Sequence, residues 1–268
     1  MPTASCPSAP EGIGLPQRGR YTDALIDGPP GLGRMQTPPT TESRSPQEEW
    51  YSANLPLRQQ VIADVGANEG RLSAFFWREG EGSSKVVSIE PLAENIALLG
   101  ARIPAEAAGL WRVEPFAVSN CAGEVKLHAG VTPKSGWNSV VHPHGARSAR
   151  AETLAALVPD VTVVKLDIEG HEHEVLEEAL PRLPQVLAWA IELHQRPDRS
   201  LQSVLGLLMA HGYRVFAATQ DRQRPGAWCS HEIPATLDWS HVPPSGMRPH
   251  GQPIRTLHVL ALRHPPTR

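Results

Sequence analysis

Three acids in this chain stand where chemistry is done: Asp64, Glu90 and Asp167. Each closes an apolar run: Val61-Ile62-Ala63, then Val86-Val87-Ser88-Ile89, then Val161 to Leu166. If the runs are parallel strands of one sheet, the three acids share its carboxyl rim, where open α/β sheets bind ligands. Negative charges gathered on one rim repel unless something electropositive comes between them. A cationic or hydroxyl-rich ligand, or a metal ion, would do that. Glu90 also follows Asp64 at about the spacing from which an acid ending the second strand reaches both hydroxyls of a ribose.

The turn after the first run reads Gly66-Ala67-Asn68-Glu69-Gly70. A pyrophosphate site wants G-x-G-x-x-G, and here Asn68 holds the place of the middle glycine. No Gly-Lys-Ser/Thr triplet occurs, so no P-loop exists. An acid-rich turn suits a cofactor without phosphate. S-adenosylmethionine is therefore expected in preference to a nicotinamide cofactor.

Methyl transfer to a hydroxyl needs positioning, and a proton acceptor or a metal near the acceptor. His171 follows Asp167 by four residues and His194 follows Glu192 by two, so both are candidate bases beside Asp167. Asp167 and Glu192 offer the oxygen ligands that a hard cation such as Mg²⁺ prefers. Glu169 and Glu172 suit the positive end of a helix, and Glu172 is expected to fix the turn through backbone amides. Lys165 is expected to pair with a rim acid.

These residues need elements to hold them. From Val61 onward strands and helices alternate, which predicts a parallel sheet covered on both faces. Strands are expected at 61–65, 85–90, 111–118, 161–167, 186–193, 213–217 and 256–262. Helices are expected at 71–79, 92–103, 148–157, 172–180 and 201–208, and a β-hairpin from Gly123. Residues 1–48 are rich in Pro, Ser, Thr and Gly and read as a disordered or loosely packed arm. Residues 49–268 then form one domain, with a long loop at about 219–253. Trp50, Tyr51 and Leu55 bring apolar surface back, either as an edge packed on the core or as a helix over the cofactor site.

A net charge of −3 argues against a nucleic-acid partner held by bulk positive charge. The three cysteines, Cys6, Cys121 and Cys229, form no metal spacing, so reduced thiols in a cytoplasmic protein are expected. No apolar run approaches the ~20 residues of a membrane helix.

The ordered blocks DVGANEG (64–70), SIEP (88–91), PFAVSN (115–120), GEVKLH (123–128), GWNSV (136–140), KLDIEGHE (165–172) and AIELH (190–194) resemble the FkbM-type family of S-adenosylmethionine-dependent methyltransferases. That resemblance implies a Rossmann-like α/β fold. Its seven-stranded methyltransferase sheet would be mostly parallel with an antiparallel last strand, with helices on both faces. It implies methylation of a hydroxyl on a small molecule, a secondary metabolite or a carbohydrate. Asp64 and Gly66 would lie along the methionine part, with Asn68 and Gly70 in the same turn. Glu90 would hold the ribose, Ala117 would face adenine, and Asp167 would sit near the sulfonium. The family's usual Thr-Leu-Asp reads Thr153-Leu154-Ala155 here. An N-methyltransferase on the same fold and a nicotinamide-dependent oxidoreductase are the rival readings. The Asp167-Ile168-Glu169-Gly170 segment lacks the Asn/Asp-Pro-Pro-aromatic pattern of enzymes that methylate planar nitrogens.

Overall fold

The structure is a computed structural model that describes residues 44–127, 147–194, 196, 200–220, 226–234 and 256–263. It opens with helix α1 (Pro46–Asn54), which starts inside the stretch read as an arm. A capping box explains the start. Ser45 Oγ accepts from the Glu48 amide, and Glu48 Oε2 accepts from the Ser45 amide at 2.7 Å.

Strand β1 (Val61–Val65) runs into the glycine turn and helix α2 (Arg71–Glu79), and β2 (Lys85–Ile89) into α3 (Ala93–Gly100). Ile62 to Val65 and Val86 to Ile89 are buried throughout, as central parallel strands must be. The expected strand at 111–118 divides at Pro115 into β3 (Trp111–Glu114) and β4 (Ala117–Val118). Proline has no N–H to offer the ladder, and the chain leaves the main sheet there.

Strand β5 (Gly123–Leu127) pairs antiparallel with β6 (Arg147–Glu152), which also pairs with β4. The helix expected over 148–157 is therefore corrected. Residues 147–152 alternate as a strand, with Ala151 turned inward, and only α4 (Leu154–Leu157), capped by Thr153, is helical. The local hairpin gives way to a three-stranded sheet, order β4-β6-β5.

Then come β7 (Val163–Leu166), α5 (Glu172–Arg182), β8 (Ala188–His194), α6 (Leu201–Ala210), β9 (Arg214–Gln220), β10 (Trp228–Ile233) and β11 (Thr256–Leu262). The main sheet has the order β10-β9-β11-β8-β7-β1-β2-β3. Seven of these strands are those expected, and β11 runs antiparallel to both β8 and β9. The eighth, β10, lies inside the stretch read as loop and pairs antiparallel with β9.

Alternate residues of the strands face opposite layers. Ala63, Val65, Val164 and Leu166 pack with α5 and α6 through Leu176, Leu180, Leu205 and Leu208. Ile62, Val86 and Val163 pack with α1 and α2 through Trp50, Tyr51, Phe75 and Phe76. Among the described residues no helix is long and apolar enough to cross a membrane. Cys121 is disulfide-bonded, which corrects the expectation of reduced thiols throughout, and Cys229 keeps its thiol. Residues 1–43 of the arm, the 136–140 block and most of the 219–253 stretch lie outside the described residues.

Candidate active site

A cleft of about 290 Å³ opens at the carboxyl ends of β1, β2 and β7, roofed by the small sheet through Ala117, Val118 and Leu127. Its floor is the turn after β1. The Gly66 and Ala67 amides both donate to the Ile89 carbonyl, at 3.0 and 3.1 Å, so the turn is tied to the end of β2. Gly66 has φ +73°, and a Cβ on it would stand 1.9 Å from the Asp167 carbonyl oxygen. Glycine is required twice over, by the left-handed backbone and by the close approach of the chain leaving β7.

Glu90 lines the cleft and is 4% exposed. Its Oε2 accepts from the Asn68 amide at 2.9 Å, and its Oε1 from the Leu92 amide and Asn95 Nδ2, each at 3.1 Å. Burial raises its pKa, while those three donors favour the charged form. Asn68 sits at φ +50° with its amide spent on Glu90. Where a dinucleotide would need an amide aimed at phosphate, this chain aims it at its own acid. Asn95 Oδ1, on the same wall, is buried and has no hydrogen-bond partner among the described residues.

Asp64 does not line the cleft. It is wholly buried beneath the turn, at the end of a relay in which Trp111 Nε1 donates to Ser88 Oγ, Ser88 to Ser73 Oγ, and Ser73 to Asp64 Oδ2 at 2.6 Å. Its Oδ1 faces Lys165 Nζ at 3.2 Å. Lys165, 4% exposed, donates to the Gly66 carbonyl at 2.8 Å and lies 3.6 Å from Asp167 Oδ2. Burial works against its charge, but Asp64 and Asp167 outweigh burial and its pKa is raised. No local sequence signal marks Ser73 and Ser88 for this relay, since α2 and β2 also carry Arg71, Arg78, Glu79 and Lys85.

At the other side of the rim, Asp167 and Glu169 line the cleft. Glu172 Oε1 accepts from the Ile168 and Gly170 amides at 3.2 and 2.9 Å, fixing the turn as expected, and from His194 Nδ1 at 2.9 Å. His194 Nε2 lies 3.3 Å from Glu169 Oε2. Burial disfavours the His194 cation, yet Glu172, Glu169 and Asp167 prevail and lift its pKa to about 9. His194 thus keeps its second proton at neutral pH, with Glu172 at one ring nitrogen and Glu169 at the other. Burial brings Glu169 to about 7, and burial together with Asp167 does the same for Glu192.

His171 is not on the cleft. Its Nε2 lies 3.1 Å from Ser119 Oγ and its Nδ1 3.6 Å from Glu174. Ligand atoms of Asp167, Glu192 and His194 lie within 4.8 Å of one another. Ala155 packs against the core and is not on the cleft. Gln47 of α1, unmarked in the sequence, is on its wall.

The arrangement fits an adenosyl sulfonium. An apolar roof of Ala117, Val118 and Leu127 suits a base, Glu90 and Asn95 Oδ1 accept from hydroxyl or amino donors, and Asp167 and Glu169 face positive charge. The strand order with antiparallel β11, and a cleft of this kind at its rim, define a Rossmann-like S-adenosylmethionine-dependent methyltransferase. Residues 64–215, more than half of the chain, match the methyltransferase FkbM domain, and the chain belongs to that family.

Similar solved structures include the precorrin-6y C5,15-methyltransferase of Geobacter metallireducens. It is 12% identical, with 86% of this chain and 95% of that one covered and a TM-score of 0.45. An S-adenosylmethionine-dependent methyltransferase from Aquifex aeolicus is 13% identical over 83% of this chain and 100% of that one, at TM-score 0.37. The ribosomal protein L11 methylase of Lactobacillus delbrueckii subsp. bulgaricus is 11% identical over 81% and 77%, at 0.40. No curated protein sequence matches the chain.

Proposed function

We propose that this methyltransferase acts on a hydroxyl oxygen of a small molecule, a secondary metabolite or a carbohydrate. The observation that carries this reading is the pair of carboxylates on the cleft wall, Asp167 and Glu169, with Glu192 and His194 close by. A hydroxyl must give up its proton as its oxygen is alkylated, and a carboxylate at the rim can accept both the hydrogen bond and the proton. Bound S-adenosylmethionine supplies a methyl carbon already activated by its sulfonium.

In this reading Glu90 and Asn68 hold the ribose side, Gly66 and Gly70 let the backbone approach, and Ala117 forms the base wall. Asp167 accepts the acceptor's proton. His194, already holding Glu169 and Glu172, positions the acids rather than serving as base. His171 acts on the helix start and not on the acceptor. The test is turnover of labelled cofactor against a panel of alcohols, sugars and amines. Transfer to amines alone would overturn the hydroxyl assignment.

A divalent cation such as Mg²⁺ at Asp167 and Glu192 is a second reading, favoured by the convergence of their oxygens with His194. It predicts that chelation removes turnover and that added metal restores it. Undiminished turnover in excess chelator would dispose of it.

A further inference from the structure

Among the described residues that line the cleft, Gln47 alone comes from outside the matched region 64–215. It is placed by a helix with no freedom to slide. The capping box fixes the start of α1, Glu48 pairs with Arg71 at 3.1 Å, and Trp50 Nε1 donates to Ser230 Oγ of β10 at 2.8 Å. One turn on, Tyr51 is 1% exposed and stacked on Phe76 with ring centroids 6.1 Å apart. Gln47 Nε2 donates to the Tyr51 hydroxyl at 3.1 Å, the meeting expected of residues four apart on a helix.

Helix α1 docks on β10 through Trp50, on the β7 side of β1 in the sheet order, whereas Glu90 follows β2 on the other side, which puts the Gln47 amide at the Lys165–Asp167 end of the cleft. The opposite end, with Glu90 and Asn95, offers the acceptors that suit a nucleoside. What remains of the cofactor for the Gln47 end is its amino-acid part, an ammonium and a carboxylate on one carbon. An amide serves both charges: Oε1 accepts from an ammonium, and the second Nε2 hydrogen donates to a carboxylate. One of its hydrogens is given to Tyr51, which leaves Oε1 and the second hydrogen for the ligand.

We propose that Gln47 is a cofactor-binding residue that contacts the amino-acid end of S-adenosylmethionine, with Tyr51 as the residue that orients it. The inference rests on the cofactor assignment and extends the site to a helix outside the family's matched region.

The test is calorimetry with two probes, S-adenosylhomocysteine and 5′-methylthioadenosine, which shares the nucleoside and lacks the amino acid. The wild type, Gln47→Ala and Tyr51→Phe are compared in the full chain. Gln47→Ala is expected to weaken S-adenosylhomocysteine about three- to tenfold, the worth of one or two hydrogen bonds, and to leave methylthioadenosine unchanged. Tyr51→Phe should shift the same ratio in the same direction by less. Equal losses on both probes would mean that Gln47 acts only through the helix, and unchanged affinity for both would mean no contact; either result overturns the proposal. Failure of the wild type to bind S-adenosylhomocysteine would instead overturn the cofactor assignment, and the proposal with it.

Discussion

The Asp167 carbonyl oxygen stands where a Cβ on Gly66 would have to go, 1.9 Å from its ideal position. The two residues belong to the turn after β1 and to the chain leaving β7, so the contact fixes how the floor of the cleft meets its acidic side. Gly66→Ala must move backbone and also occupy φ +73°. We expect a loss above about 3 kcal/mol, in the range that marks a backbone clash, together with loss of S-adenosylhomocysteine binding. Gly109 is the control, since it has φ +80° and nothing within 4 Å of a Cβ. Gly109→Ala should lose only about 1 kcal/mol, from its backbone angle. Similar melting temperatures for the two variants would refute the close-approach argument.

Glu90 accepts three donors from its own surroundings before any ligand arrives. Glu90→Gln replaces one acceptor oxygen with an NH₂ that faces N–H groups, so part of any effect is structural. A ligand cycle separates the two parts. Methylthioadenosine should lose about tenfold or more in affinity on going to Glu90→Gln, the worth of a charge-assisted bond. Its 2′,3′-dideoxy analogue should lose only the structural part of that effect. Equal losses for the two ligands would remove the ribose role and leave Glu90 as a brace for the turn.

The rim could be read from sequence because its determinants are local. A short apolar run such as Val61 to Ala63, ending in a glycine turn, reads as a buried strand, and Gly66 and Glu90 follow such runs directly, whereas Asp64, read as a rim acid, lies beneath the turn. The relay Ser88, Ser73, Asp64 was not readable, since it joins three elements whose rotation about their axes only packing decides. His194 looked like a base because its strand end faces the rim. What occupies it, Glu172 and Glu169, lies 20-odd residues back across a helix crossover. The 148–157 segment misled for a different reason: Ala149, Ala151 and Leu154 to Leu157 look helical, yet Ala151 pairs with Ala117 and Gly123. Strand β10 was invisible, and for the segment of Trp50 and Tyr51 the sequence left an edge on the core and a helix over the site as alternatives, because what docks it is Trp50 to Ser230, 180 residues apart.

That long-range link carries its own prediction. Trp50 is 3% exposed, with its ring edge-on to Trp228 at 5.8 Å. Ser230→Ala leaves the Trp50 N–H unpaired and should cost about 1–2 kcal/mol. Trp50→Ala also opens a cavity and should cost about 3–5 kcal/mol. Both should speed hydrogen exchange in α1 and β10 together while β1 and β7 stay protected. Faster exchange in only one of the two elements would show that they are not held by each other.

The clamp on His194 makes stability depend on pH in a defined direction. Its pKa is about 9 in the folded chain against an ordinary 6.5. The folded state therefore binds this proton more tightly than the unfolded one. The stabilisation is complete below pH 6.5 and is lost as pH rises through 9, by on the order of 1 to 3 kcal/mol. Glu169 and Glu192, near 7, act in the same direction, but mainly between 4.5 and 7. There His258, pushed down to about 4 by burial, opposes them, because only its unfolded form takes up a proton. The interval from 7 to 9 therefore belongs chiefly to His194. Melting temperatures in excess chelator should fall across it in the wild type and fall by less in His194→Gln, where Glu169 and Glu192 lose a neighbouring cation and titrate higher. An equal fall in both would assign the titration to another group and release His194 from the clamp.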